Sequence, residues 1–143
     1  QQQSTRPQTL GYGLTDSPAG QCGWILEKFG AWTDDDGRPG SPIGRDAMLD
    51  TISLYWLTAS ATSSARLYWE SFGPVLSSFT PLPVPVGYTV VPEDLFEFSE
   101  RWARTRYPDL RHYRRVEKGG HFAALEQPEV FVDEVRAAFR AMR

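Results

Sequence analysis

Cysteine is nearly absent from this sequence of 143 residues, because Cys22 is the only one. A single cysteine cannot form a disulfide within the chain, and it excludes a zinc site built from several thiolates. Chains without disulfides are typical of reducing compartments, and we therefore expect a cytoplasmic protein. No apolar run of about 18 residues occurs, so the sequence contains no candidate membrane-spanning helix.

An excess of positive charge is also absent, since the formal net charge is -3. The arginines between positions 101 and 115 are interleaved with apolar and acidic residues, which is typical of a solvated face rather than a nucleic-acid stripe. The acidic run at 34–36 lacks the alternating ligands of a calcium loop. We therefore expect no nucleic acid, no metal and no organic cofactor.

Apolar and aromatic residues are plentiful, at 41% and 13% of the sequence, which is enough to fold a globular core. Residues 1–14 show no clear period, and we expect irregular structure there. The stretch 33–45 is polar and rich in glycine and proline, which predicts a surface loop. Helices are predicted from about 18 to 30, from about 46 to 60 and from about 64 to 73.

The second half begins with the stiff proline-rich stretch 80–85, because proline fixes φ and cannot donate to a strand ladder. The pattern then predicts a strand, a helix, a strand and a helix. The first three are expected at 86–91, 94–106 and 110–116. The last helix carries an apolar stripe that we expect to be buried, made of Phe131, Val135, Ala138, Phe139 and Met142.

Alternation of strands and helices is typical of an α/β protein with a parallel sheet. Two strands do not form such a sheet alone, so the missing strands must come from elsewhere. The first residue is Gln1 rather than methionine, and we expect a longer protein with a preceding N-terminal part. The predicted domains are a helical region over residues 1–80 and part of an α/β core over residues 81–143.

The sequence contains two histidines, and they lie in different settings. His112 lies inside a predicted strand, where a partly exposed strand residue is the simpler interpretation. His121 follows Gly119 and Gly120 after that strand, and the loops at the carboxyl ends of parallel strands are where α/β sheets place their sites. The local pattern leaves both a functional and a structural role open for His121.

Asp94 follows the preceding strand in the same way, so an acid and then a histidine reach one sheet edge. A carboxylate bonded to one imidazole nitrogen fixes the tautomer and stabilises the imidazolium. The order acid before histidine, with a nucleophile upstream, is that of α/β-hydrolases. The alternative, equally open on the pattern, is that Asp94 or Glu93 only caps the helix predicted there.

Three separated stretches carry a family resemblance: TLGYGLTDSPAGQCGWILEKFGAW, LDTISLYWLTASATSSARLYWE and RWARTRYPDLRHYRRVEKGGHFAALEQPE. Over essentially the whole chain, and in the right order, they resemble epoxide hydrolases of the microsomal and juvenile-hormone types. The resemblance implies the C-terminal part of an α/β-hydrolase fold, whose sheet is incomplete without the N-terminal part. Residues 1–80 would be most of the helical lid, and 81–143 the last β-α-β-α of the core.

The resemblance also implies residue roles. His121 matches the family's general base, and Asp94 matches the acid that orients it; Glu93 is the adjacent rival, but the spacing to His121 favours Asp94. Tyr68 matches one of two lid tyrosines that hydrogen-bond the epoxide oxygen, although on the pattern alone it would be a core aromatic. The aspartate nucleophile, the oxyanion-hole segment and the second tyrosine would lie upstream of this sequence.

The implied reaction converts an epoxide to a vicinal diol through an ester on that aspartate, and it needs no cofactor. The expected partners are a small apolar epoxide and the N-terminal part of the same enzyme, while homo-oligomerisation stays open. The isolated chain should be inactive because it lacks the nucleophile. The alternatives are another α/β-hydrolase, such as a haloalkane dehalogenase or an esterase, and an inactive fragment or binding module.

Overall fold

The computed structural model describes residues 2–34, 42–78 and 80–143. The chain divides into two compact units, Gln1–Lys28 with Gly44–Phe79, and Phe29–Ile43 with Thr80–Arg143. Within the described ranges, no helix combines the length and apolarity needed to cross a lipid bilayer. The elements, in chain order, are α1 (Gln2–Thr5), α2 (Pro7–Asp16), α3 (Pro18–Trp32), α4 (Arg45–Leu57), α5 (Ala61–Ser77), β1 (Val86–Val90), α6 (Glu100–Arg106), β2 (Leu110–Arg115), α7 (Ala123–Glu126) and α8 (Pro128–Ala141).

The first unit is helical, and its N-terminal stretch corrects the expectation of irregular structure over residues 1–14. The helices α1 and α2 occupy that stretch, and both pack against α5. At the contact, a Cβ on Gly11 would lie 2.3 Å from Oγ1 of Thr62, so α2 approaches α5 closely. This packing stabilises a segment whose own apolar pattern is weak, since most helices in proteins depend on tertiary contact.

The helix α3 begins at Pro18 as predicted, and Oγ of Ser17 accepts a hydrogen bond from the N–H of Gly20 at 3.0 Å. It ends at Trp32, two residues beyond the predicted Gly30, and Oγ1 of Thr33 then donates to the carbonyl of Phe29. Most of the predicted loop at 33–45, including Asp35 and Asp36, lies outside the described residues.

The helix α4 begins near the predicted position and buries Met48 and Ile52. The helix α5 begins at Ala61, earlier than the predicted 64, and it continues past Pro74 to Ser77. The predicted end of this helix near residue 73 was therefore wrong. Proline removes one backbone donor, but the N–H of Ser78 still donates to the carbonyl of Pro74, so the last turn closes.

The second unit contains the predicted parallel pair of strands, with β1 beside β2. The helix between them is shorter than predicted, because α6 begins at Glu100 rather than at Asp94. Oγ of Ser99 accepts a hydrogen bond from the N–H of Trp102 and caps this helix. The residues just after β1 are therefore not helical, and neither Glu93 nor Asp94 caps a helix.

The helix α8 packs on both strands. A Cβ on Gly87 of β1 would lie 2.5 Å from Cβ of Ala138, so helix and strand are in close contact there. The predicted burial of the apolar stripe was wrong for three of its members: Phe131, Val135 and Phe139 are 47%, 39% and 64% exposed, whereas Ala138 and Met142 are partly buried. Two strands give α8 too little surface to cover the whole stripe.

Candidate active site

The structure brings His121 and Asp94 together, at the loops that follow β2 and β1. Nδ1 of His121 lies 2.8 Å from Oδ1 of Asp94, a hydrogen-bond distance. A carboxylate can only accept, so this contact places the proton on Nδ1 and leaves the lone pair on Nε2. Their side chains are 39% and 37% exposed, so the pair is accessible from solvent.

Backbone hydrogen bonds join the two loops directly. Glu93 and Gly120 form an isolated parallel bridge beyond the ends of the strands, and the N–H of Glu93 donates to the carbonyl of Gly119 at 3.2 Å. The rival Glu93 thus contributes its backbone at this point, whereas Asp94 contributes the carboxylate that reaches the imidazole. Asp94 also accepts from the N–H of Leu95 at 2.7 Å, which fixes the orientation of the carboxylate.

Glycine is required at each of the two positions before His121, for a different physical reason at each. Gly119 has a φ of +118°, a conformation that residues with a side chain rarely adopt. Gly120 has no room for a side chain, because a Cβ there would lie 2.5 Å from the carbonyl oxygen of Trp32. Together they let the loop turn sharply and pass close to the backbone at the end of α3.

A buried carboxylate lies beneath this loop. Glu126 is 3% exposed, and its Oε2 accepts from the N–H groups of Asp34 at 2.8 Å and of Gly120 at 3.0 Å. Its Oε1 accepts from the N–H of Phe122 at 3.0 Å. Glu126 could not be singled out from the sequence, because its place next to an apolar run, four residues after Phe122, gives no sign of these partners.

Aromatic rings surround the imidazole on the side of α3. The rings of Trp32 and Phe122 each contact His121 edge-on, with centroids 5.2 Å away in both cases. Phe29 packs against Phe122 at 4.9 Å. These contacts restrict rotation of the imidazole and leave its position set by packing as well as by Asp94.

A cavity of about 270 Å³ borders the acid and the histidine within the second unit. Besides Asp94 and His121, its wall includes Val91, Lys118 and Gln127, and it continues between β1 and α8. The imidazole thus borders a cavity as well as solvent.

The other histidine belongs to a different cluster. His112 is 16% exposed at its side chain, which agrees with a partly exposed strand residue, and its Nε2 lies 2.8 Å from Oε2 of Glu134. Glu134 also accepts from Arg114 at 2.7 Å and from Thr89 at 3.1 Å. Burial raises the pKa of Glu134, but the hydrogen bonds from His112 and Thr89 and the charge of Arg114 outweigh it, so the pKa is below its ordinary value.

A tyrosine cluster lies on the strands near Asp94. The rings of Tyr88 and Tyr113 stack at 6.1 Å with an interplanar angle of 5°. Burial raises the pKa of Tyr88, and the nearby Tyr107 and Asp94 raise it further. Tyr88 therefore stays neutral over the physiological range, and we assign it to the packing of the strand face.

Tyr68 lies on α5 in the first unit. It is 38% exposed, and its ring contacts Phe72 with centroids 5.8 Å apart. Its assignment as a lid tyrosine stays a prediction.

Parallel strands that end in an acid and then a histidine, followed by a helix, are the arrangement of the C-terminal part of an α/β-hydrolase. Solved structures bear this out. The juvenile hormone epoxide hydrolase of the silkworm Bombyx mori matches 99% of this chain with a TM-score of 0.91 and 36% sequence identity. The epoxide hydrolase of Aspergillus niger matches 99% of it with a TM-score of 0.85 and 32% identity.

Curated relatives of the chain are also named epoxide hydrolases. A protein of Stigmatella aurantiaca (strain DW4/3-1) named "Putative epoxide hydrolase" is 52% identical over 141 residues, which are 99% of this chain and 32% of that protein. "Epoxide hydrolase 1" of Sus scrofa is 38% identical over 94% of this chain and 32% of its own length. No family model matches the sequence. The chain spans about a third of the curated relatives it matches, and over nearly its whole length it is homologous to the C-terminal part of epoxide hydrolases.

Proposed function

We propose that this chain is the C-terminal part of an epoxide hydrolase, in which it supplies the general base, the acid that orients the base and one tyrosine of the lid. The observation that carries the proposal is the 2.8 Å contact between His121 and Asp94, at the strand ends of a chain whose relatives are named epoxide hydrolases. The N-terminal part of the same enzyme would supply the remaining strands and the nucleophile.

The first step opens the epoxide. An oxygen of the upstream aspartate attacks one ring carbon, and the carbon–oxygen bond of the ring breaks with its electron pair on the departing oxygen. Tyr68 and a second tyrosine donate hydrogen bonds to that oxygen, where negative charge develops, and one of them supplies its proton. The product is an ester between the aspartate and the new alcohol.

The second step hydrolyses the ester. Nε2 of His121 removes a proton from water, and the oxygen of the hydroxide adds to the ester carbonyl. The carbon–oxygen bond to the alcohol then breaks, and of the two protons of the water one goes to the departing diol and the other returns to the tyrosinate. The aspartate, the imidazole and the tyrosine are thereby restored. Asp94 holds the tautomer of His121 and stabilises its cationic form. General-base catalysis of this kind contributes on the order of 10²–10⁴-fold.

A haloalkane dehalogenase or an esterase would use the same pair of acid and base. Two observations favour the epoxide hydrolase: the relatives that cover the chain carry that name, and Tyr68 lies on the segment that resembles the family's lid. If the chain were an inactive fragment or a binding module, the contact between the imidazole of His121 and the carboxylate of Asp94 beside a cavity would have no functional reason.

The decisive experiment is His121→Ala in the complete protein, incubated with an aryl or alkyl epoxide such as styrene oxide. We expect the ester to accumulate, since its formation does not need His121, and steady-state turnover to fall by at least about 10²-fold. Intact mass should show the substrate added covalently to a peptide outside this sequence.

The matched control is His112→Ala, which removes the other histidine of the chain. It breaks the contact with Glu134 but leaves the loop of His121 intact, and it should turn over without accumulating an ester. Normal turnover in His121→Ala, or equal loss in both variants, would refute the assignment of His121.

A further inference from the structure

We propose that Glu126 is a positioning residue for His121, which it holds in place by binding the backbone on both sides of it. The inference rests on the proposed function, since the residue it positions is the proposed base. Glu126, Trp32 and Asp34 together form what we term the His121 clamp.

The bonding of Glu126 is unusual for a buried carboxylate, because its three partners are backbone N–H groups. Oε2 accepts from Asp34 and Gly120, and Oε1 accepts from Phe122, at 2.8, 3.0 and 3.0 Å. Burying a charge is costly unless hydrogen bonds compensate it, so these three contacts must all be kept. The carboxylate therefore fixes the backbone immediately before and immediately after His121.

Trp32 and Asp34, the other two residues of the His121 clamp, bind the remaining N–H groups of the loop. The N–H of His121 donates to the carbonyl of Trp32 at 2.8 Å, and the N–H of Gly119 donates to Oδ2 of Asp34 at 3.0 Å. Four consecutive N–H groups, from 119 to 122, are thus bound by Trp32, Asp34 and Glu126. Because Glu126 also accepts from the N–H of Asp34, one carboxylate ties both sides of the clamp together.

This arrangement determines where the proton-accepting nitrogen lies. Asp94 fixes the rotation of the imidazole through Nδ1, but a side-chain contact cannot fix the backbone from which the ring extends. A displacement of about 1 Å in an active site can cost on the order of 100-fold in rate. Glu126 supplies the backbone constraint, and the ring of Trp32 supplies a surface for the imidazole.

A carboxylate that only stabilised the fold would have different consequences when altered. It would reduce the fraction of folded enzyme, and the enzyme that remained folded would react at the normal rate. A positioning residue changes the rate for each active site, and it changes the step that uses His121 more than the step that does not. The two roles are therefore separable by kinetics.

The test is Glu126→Gln in the complete enzyme, assayed with styrene oxide in single turnovers. Glutamine has one acceptor oxygen in place of two, so at least one of the three N–H groups loses its partner. We expect ester hydrolysis per active site to slow by about 10-fold, with active sites counted by the amplitude of ester formation. The rate constant of ester formation should stay within about 2-fold.

Glu129→Gln is the control, since Glu129 is an exposed glutamate of the same unit in the first turn of α8. It should leave the hydrolysis rate per active site unchanged. If Glu126→Gln does not fold, Glu126→Asp keeps both acceptor oxygens but withdraws them from the three N–H groups by one methylene, and ester hydrolysis should slow by about 3-fold. Unchanged hydrolysis per active site in the folded variant would overturn the proposal.

Amide hydrogen exchange gives a second readout that does not depend on the reaction. The amides of Gly120 and Phe122 should exchange at least about 10-fold faster in Glu126→Gln, and at the wild-type rate in Glu129→Gln. Exchange that is unchanged at both amides would also overturn the proposal. If the wild-type enzyme forms no ester at all, the proposed function fails, and exchange alone then decides whether Glu126 holds the backbone of His121.

Discussion

Because His121 and Asp94 are partly exposed, their contact contributes little to the stability of the fold. With side chains 39% and 37% exposed, His121 and Asp94 form a pair of the kind that contributes about 0–1 kcal/mol to stability. Asp94 therefore matters for the tautomer and orientation of the base rather than for the fold. Exclusion of water by a bound substrate would strengthen the same contact during the reaction.

At the same scale, Tyr68→Phe tests the proposed donor to the epoxide oxygen. The change removes one hydroxyl from a partly exposed residue, so we expect stability within about 0.5 kcal/mol of wild type. Ester formation should slow by about 10-fold or more, since a donor to developing charge is lost, while hydrolysis of the ester already formed should be unaffected. Stopped-flow single turnovers separate the two steps.

Tyr12→Phe is the control for this prediction, because Tyr12 lies in the same unit and is 69% exposed. It should leave both steps unchanged. An unaltered rate of ester formation in Tyr68→Phe would remove Tyr68 from the site.

At the scale of elements, the strands and most helices could be predicted from the sequence, because proline, glycine and apolar periodicity are local signals. The helix predicted from Asp94 was wrong, since the residues after β1 bond to a loop distant in sequence: Asp94 to His121, and Glu93 to Gly119. Glu126 was missed for the same reason, as one of its partners is Asp34, 92 positions away. Apolar periodicity carries no information on such pairings.

The contact between α8 and the strands should make the stability of the fold depend on pH through Glu134. The pKa of Glu134 is lower in the folded protein than in the unfolded chain. The charged carboxylate therefore stabilises the fold fully at pH values above the unfolded pKa of about 4.3. This stabilisation is lost as the pH falls through the folded pKa. We therefore expect Glu134→Gln to cost about 2 kcal/mol at pH 7 and less at acid pH. Urea unfolding midpoints of the complete protein at several pH values measure this.

Glu129→Gln is the control on the same helix, since Glu129 is exposed in the first turn of α8. It should change the midpoint little at any pH. A Glu134→Gln variant whose loss of stability stays constant from pH 7 down to the acid range would contradict the assigned direction of the pKa.

At the scale of the whole molecule, the proposed function explains both the match to a third of each relative and the exposed apolar stripe of α8. Phe131 and Phe139 are 47% and 64% exposed, which is unusual for residues on the apolar face of an amphipathic helix. Covering them and completing the sheet would require the strands and helices of the preceding part of an α/β-hydrolase. The sequence could predict that the sheet is incomplete, because two strands are too few, but it could not show which surfaces stay open.

A hybrid enzyme tests this explanation directly. The Stigmatella aurantiaca relative is 52% identical over 141 residues, so this chain should replace the matching third of that protein with its core contacts largely kept. We expect the hybrid to hydrolyse styrene oxide, the isolated chain to be inactive, and His121→Ala in the hybrid to accumulate the ester. A hybrid that folds with the circular dichroism of its parent but forms no ester would contradict the function proposed here. Activity in the isolated chain would instead show that the nucleophile lies within these residues.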